Sequence, residues 1–206
     1  ISDASTEEGS SASFNVTLSN ASEEQVDVKF SAVRLVGDSA EASDFDPASL
    51  VVTYVDDSVE VEIQQNIDAT YTVPAGVTAL TVRVPTIDDD DYEGRETFTL
   101  SASIQNQNYT TSDTGEGSIF DDGTQPDGDD DNETPDDDRP SFNIDDVSVD
   151  EGEGSITFTV SKTGTTEIES TVSYTVNEGT GTNPALEPED YSIQSIEGAD
   201  PLSGTL

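Results

Sequence analysis

The sequence predicts an all-β chain: tandem antiparallel Ig-like β-sandwiches, the second incomplete. Three observations lead there. Short segments alternate apolar and polar residues with period two, and Gly, Asn, Asp and Pro separate them. No stretch of useful length repeats every 3.6 residues. The chain also repeats itself, so the pattern belongs to two copies of one module.

The strands follow in order. Residues 11–18 put Ala12, Phe14, Val16 and Leu18 on one face, and residues 26–33 do the same with Val26, Val28, Phe30 and Ala32. Residues 59–63 alternate Val59, Val61 and Ile63 with Glu60 and Glu62. Leu80, Val82 and Val84 follow "VPAG", and Phe98, Leu100, Ala102 and Ile104 alternate with Thr97, Thr99, Ser101 and Ser103. Ile156, Phe158 and Val160, then Val172, Tyr174 and Val176, read as two later strands. One buried face per strand is the pattern of a two-layer antiparallel sandwich.

The repeat is read residue against residue. "ISDASTEEGSSASFNVTLS" at Ile1 resembles "IDDVSVDEGEGSITFTVSK" at Ile144. Phe14 then matches Phe158, Val16 matches Val160, Val28 matches Val172 and Phe30 matches Tyr174, each 144 residues on. Asp44-Phe45 matches Asp190-Tyr191. The first module is expected to span residues 1–122 and the second to open at 141, with residues 141–206 covering its first half and the remaining strands lying later in the parent chain. Between them, ten of the 18 residues from Asp121 to Asp138 are acidic. Residues 123–140 therefore read as an acidic linker, extended by self-repulsion. Asp127, Asp129, Asp131 and Asp138 have EF-hand spacing, but Asn132 stands where Gly belongs, and such a match comes easily in an Asp-rich stretch.

Composition narrows the function. The 206 residues hold 46 acidic and 6 basic side chains, a formal charge of −40. Nucleic acid and anionic membrane both need Lys and Arg, so both are excluded as partners. Cationic partners, solubility or life in high salt fit the balance. There is no Cys, and no His to serve as the usual general base. No apolar run approaches the ~18 residues of a membrane span. A carboxylate pair such as Glu93 and Glu96 could serve a glycosidase, but without Trp or His the chain is not read as an enzyme.

The carboxylates concentrate instead in "IDDDDYEGRETFTL", from Ile87 to Leu100. Taken with "EEG" before a strand, "SDF", "PAG" and "GSIFDD", this resembles the Calx-β domain and its relatives in the repeat arrays of large bacterial RTX adhesins. The resemblance covers residues 1–122 and the opening of a second domain. It implies a seven-stranded sandwich whose loops gather Ca²⁺ at one end. By position, the implied ligands are Glu8, Asp44, Asp88, Asp89, Asp90, Glu93, Asp121 and Asp122. In the second copy, Glu151 and Asp190 have counterparts. Glu93 is assigned to calcium and Glu96 to a solvent face. Between Asp44 and "PAG" the chain is longer than the short form of the family by about a strand pair, "VEVEIQQNIDATY" included.

The implied function is mechanical. The chain reads as a calcium-stabilised extender of a secreted, surface-anchored adhesin, with neighbouring modules as partners, holding a distal ligand-binding domain for adhesion. The alternative is a carbohydrate- or protein-binding module of an acidic extracellular protein, with Tyr54, Tyr71 and Tyr109 as candidate contact aromatics. Lys29 reads as solvated.

Overall fold

The computed structural model describes residues 1–105, 110–124, 137–180, 182, 184–186, 190–192 and 203–205. Among them there is no helix, and hence none long and apolar enough to cross a membrane. Two compact units form, Ile1–Glu167 and Ile168–Leu206.

The sandwich occupies the first unit. In chain order its strands are β1 (Ala4–Glu7), β2 (Ser11–Thr17), β3 (Val26–Val33), β4 (Val51–Asp56), β5 (Val59–Ile63), β6 (Tyr71–Val73), β7 (Ala79–Pro85), β8 (Asp91–Tyr92), β9 (Gly94–Gln105) and β10 (Thr110–Asp121). One sheet runs β1-β10-β9-β3-β6 and the other β2-β7-β4-β5. β1 lies parallel to β10, and the other neighbours within these two sheets are antiparallel.

The inner faces carry the residues that the alternation singles out. Phe14, Phe98, Leu100, Val52, Val82 and Val84 are fully buried, and Val28, Phe30 and Leu80 nearly so. Phe98 meets the edge of Phe14 at 5.9 Å and stacks on Phe45 at 4.7 Å. Gly117 lies against Phe98 because no larger residue fits: a Cβ there would sit 2.4 Å from the ring. Asp57 and Ser58 both take positive φ, 45° and 70°, in the two-residue β4–β5 hairpin, the backbone that the twist of a tight hairpin favours.

Register assigns each strand end to a pole. β1, β3, β7 and β10 run toward one pole; β2, β4 and β9 run away from it. The chain thus enters the sandwich at one end and leaves β10 at the other. β9, at 12 residues and ~3.3 Å each, makes that length about 40 Å.

Residues 137–167 also belong to the first unit. They form β11 (Ser141–Ile144), β12 (Val160–Thr163) and β13 (Thr165–Thr166). β11 pairs with β12, and β13 adds in parallel to β8. Here two hydrogen bonds of the first module recur. Ser2 N–H donates to the Asn15 carbonyl and Asn15 N–H to Ser2 Oγ; Asp145 N–H donates to the Thr159 carbonyl and Thr159 N–H to Asp145 Oδ1. Gly9 and Gly152, each after a Glu, both have positive φ. In the second unit, β14 (Ser173–Thr175) pairs with β15 (Ser203–Thr205).

Two expectations are corrected here. The strand expected over residues 156–161 is confined to Val160–Thr163, and Ile156 and Phe158 are 42% and 52% exposed. Its counterpart β2 is held along its whole length by β7, and among the described residues no strand pairs with residues 156–159 in that way. Tyr71 is no contact aromatic: it is 2% exposed and packs on Phe30, centroids 5.7 Å apart. Tyr54 is half-buried, Lys29 is exposed as expected, and Tyr109 lies outside the described residues, as do Asp127, Asp129 and Asp131.

Candidate functional site

Five separate segments deliver carboxylates to one pole. Glu8 and Gly9 form the β1–β2 turn. Gly9 is required twice: its φ is +71°, and a Cβ there would lie 2.8 Å from Asp88 Cβ. The "EEG" motif therefore lets the aspartate loop approach Glu8. Asp89 N–H donates to Glu8 Oε1 at 3.2 Å, and Asp91 N–H to Asp89 Oδ1 at 2.8 Å.

Asp44 owes its place to its neighbour. Phe45 is buried against Phe98, so the loop between β3 and β4 is anchored and Asp44 is 2% exposed. Its carboxylate accepts from Glu41 N–H and from Ser43 Oγ. Ile87 N–H donates to the Asp44 carbonyl at 2.9 Å, and Thr86 N–H to the Ser10 carbonyl at 2.8 Å, tying three loops together.

Asp121, at the end of β10, is 1% exposed. Oδ2 accepts Glu93 N–H at 2.7 Å and Oδ1 accepts Asp138 N–H at 3.2 Å. One carboxylate thus ties Glu93, just before β9, to Asp138 at the far end of the acidic stretch.

Two groups result. Glu8, Asp121 and Asp138 form one; Asp44, Glu93 and Glu96 form the other. Within each, one ligand atom per residue lies within 4.8 Å of the others, close enough to share a metal ion. Asp88, Asp89 and Asp90 are exposed on the loop beside them. Asp122 Oδ1 accepts Thr124 N–H at 2.9 Å.

The electrostatics reflect crowding. Burial, then the charges of Asp44, Glu167, Asp89 and Asp121, push Glu93 up to about 7. Burial, a hydrogen bond with Asp44 and the charges of Asp44, Glu93 and Glu167 push Glu96 up to about 9. Asp138 is raised by burial and by Asp121, Asp90, Asp88 and Asp89. Glu96 Oε2 is buried without a hydrogen-bond partner among the described residues. The donors are all carboxylate oxygens, the hard ligands that Ca²⁺ takes. The set fits that ion.

Glu96 is a correction: it lies in this group, not on a solvent face. The signal was present, because period two places Glu96 on the same face as Phe98 and Leu100. Asp138 joins through the chain's return to Asp121, which no local pattern announces.

The sandwich and its acidic pole define the class, and the comparisons name it. The Calx-beta domain family matches residues 65–123 and 134–197, together more than half of the chain. The chain belongs to the Calx-beta family, in tandem. Among solved structures, CBD12 from CALX1.2 is similar at 17% identity and a TM-score of 0.37, over 59% of this chain and 43% of that one. ACE19, the collagen-binding subdomain of the Enterococcus faecalis surface protein ACE, is similar at 11% identity and a TM-score of 0.31, over 56% of this chain and 93% of that one. This chain thus spans less than half the length of the CALX1.2 structure. No curated protein matches it.

Proposed function

We propose that the chain is a calcium-stabilised extender of an extracellular, surface-anchored bacterial adhesin of the RTX type, which positions a distal ligand-binding domain. The carrying observation is the convergence of carboxylates from five segments on the pole where β10 leaves the sandwich. A cation there would bind at the junction with whatever follows. On this reading Glu8, Asp44, Asp88, Asp89, Asp90, Glu93, Asp121 and Asp122 serve Ca²⁺, joined by Glu96 and Asp138. Residues 1–122 are the sandwich, 123–140 the acidic linker, and 141–206 the opening strands of a second sandwich.

Two further features support the reading. The chain enters the sandwich at one pole and leaves at the other, so modules in series extend a rod. Calx-beta domains are binding and regulatory modules rather than enzymes, and a stalk has no need of catalysis. Isothermal titration of the chelator-treated chain with CaCl₂ tests the proposal. Saturable binding that Asp121→Asn and Glu93→Gln each weaken at least tenfold is expected. Absence of binding at millimolar calcium would sink it.

A further inference from the structure

A different contact at the acidic pole needs no cation. Gly164, with φ +91°, closes a turn against Pro140, where a Cβ would meet Pro140 Cα at 3.2 Å. From that turn β13 adds in parallel to β8, Thr165 beside Asp91 and Thr166 beside Tyr92. Two hydroxyls reach the first module's backbone. Thr165 Oγ1 donates to the Asp90 carbonyl and Thr166 Oγ1 to the Tyr92 carbonyl, both at 2.8 Å. Glu167 N–H also donates to the Tyr92 carbonyl, at 3.2 Å.

The repeat gives this contact its meaning. Phe14 corresponds to Phe158 and Val28 to Val172 at a spacing of 144, so Thr165, Thr166 and Glu167 stand where Ala21, Ser22 and Glu23 stand in the first module. Those three lie in the β2–β3 turn, at the pole opposite the carboxylates, because β2 runs away from Glu8. The β2–β3 turn of the second repeat therefore meets the acidic pole of the first.

We propose that β8 is a docking strand, and that its partner is the β2–β3 turn of the following module: successive modules couple end to end by strand addition, with hydroxyls reading the carbonyls of Asp90 and Tyr92. Main-chain pairing is the affinity element in such contacts. Neutral hydroxyl donors satisfy the carbonyls without adding a carboxylate to a crowded pole, and Thr suits an extended backbone. The proposal rests on the reading of the chain as an extender, yet its contacts contain no metal ligand side chain.

The test is amide hydrogen exchange on the whole chain, in chelator and in calcium. In the double variant Thr165→Val/Thr166→Val, which keeps shape and loses both donors, the Glu167 amide should exchange at least tenfold faster. The Phe98 and Leu100 amides should not change, and Thr165→Ser/Thr166→Ser should restore protection. Unchanged exchange at Glu167, or failure of the Ser variant to restore it, would overturn the proposal. So would faster exchange spreading to Phe98 and Leu100, because the hydroxyls would then be supporting the sandwich itself. Melting of the same variants with and without calcium reads the calcium-stabilised extender separately. A chain that ignores calcium while its Glu167 amide responds as described would sink that reading and leave the docking strand standing.

Discussion

Asp121 shows how one buried carboxylate organises a pole. It accepts two backbone amides, that of Glu93 and that of Asp138 at the far end of the acidic stretch. Removing it leaves both without their partner, and a buried unpaired donor costs ~1–3 kcal/mol. Asp121→Ala should therefore lower stability in chelator by about 2–4 kcal/mol on that basis. Asp121→Asn keeps one acceptor oxygen and should lose about half as much; urea unfolding distinguishes them, and equal losses would refute the account. Glu96 behaves in the opposite way. Its folded pKa is raised to about 9 and that of Glu93 to about 7, chiefly by burial. A carboxyl raised on folding contributes stability below its unfolded value that is lost as pH rises through the folded one. The calcium-free chain should therefore melt at lower temperature as pH goes from 5 to 9. Glu96→Gln should flatten the upper part of that fall and raise the calcium-free melting temperature at pH 8, while weakening calcium binding. A melting temperature that rises with pH in chelator would contradict this.

At the scale of elements, β10 shows what alternation does not disclose. Its "GEGS" run looks like a turn, yet Gly115 and Gly117 lie inside a 12-residue strand. Gly117 is buried because the Phe98 ring occupies the space where its side chain would be. Overpacking of this kind typically costs ~1–3 kcal/mol, so Gly117→Ala should destabilise the sandwich by about that amount. Gly76→Ala makes a control, since nothing lies within 4 Å of a Cβ there, although φ is +83°. If thermal melting shows Gly117→Ala to be no worse than Gly76→Ala, steric exclusion by Phe98 is wrong. The same strand delivers Asp121 at its end, so the packing of β10 on β9 sets the position of the site.

At the scale of the whole molecule, a formal charge of −40 opposes compactness. Carboxylates on a solvated surface are eased by any salt, with a Debye length of ~8 Å at 0.15 M. Those gathered at one pole should discriminate. At fixed ionic strength, calcium at ~100 times Kd adds ~2.7 kcal/mol for one site, and more for two. The expected result is a melting temperature that rises by several degrees with millimolar CaCl₂ and not with an ionically equivalent amount of NaCl. Equal responses to the two salts would point to screening alone.

The sequence by itself determined the sandwich, its core and the tandem repeat. Each rests on local periodicity or on self-similarity: Phe14, Val82 and Leu100 could be assigned to the core because a pleated strand turns alternate residues to one side. The resemblance of its motifs to the Calx-β family also marked Glu8, Asp44, Glu93 and Asp121 as residues of interest. Only the tertiary structure decided how they divide. Glu8 joins Asp121 and Asp138, while Asp44 joins Glu93 and Glu96; Asp122 accepts Thr124 N–H. The burial of Tyr71 and the pairing of Thr165–Thr166 with β8 were likewise invisible in one dimension. Each depends on which strand ends meet at a pole. That is set by the register of pairs far apart in the chain, which neighbouring residues do not encode.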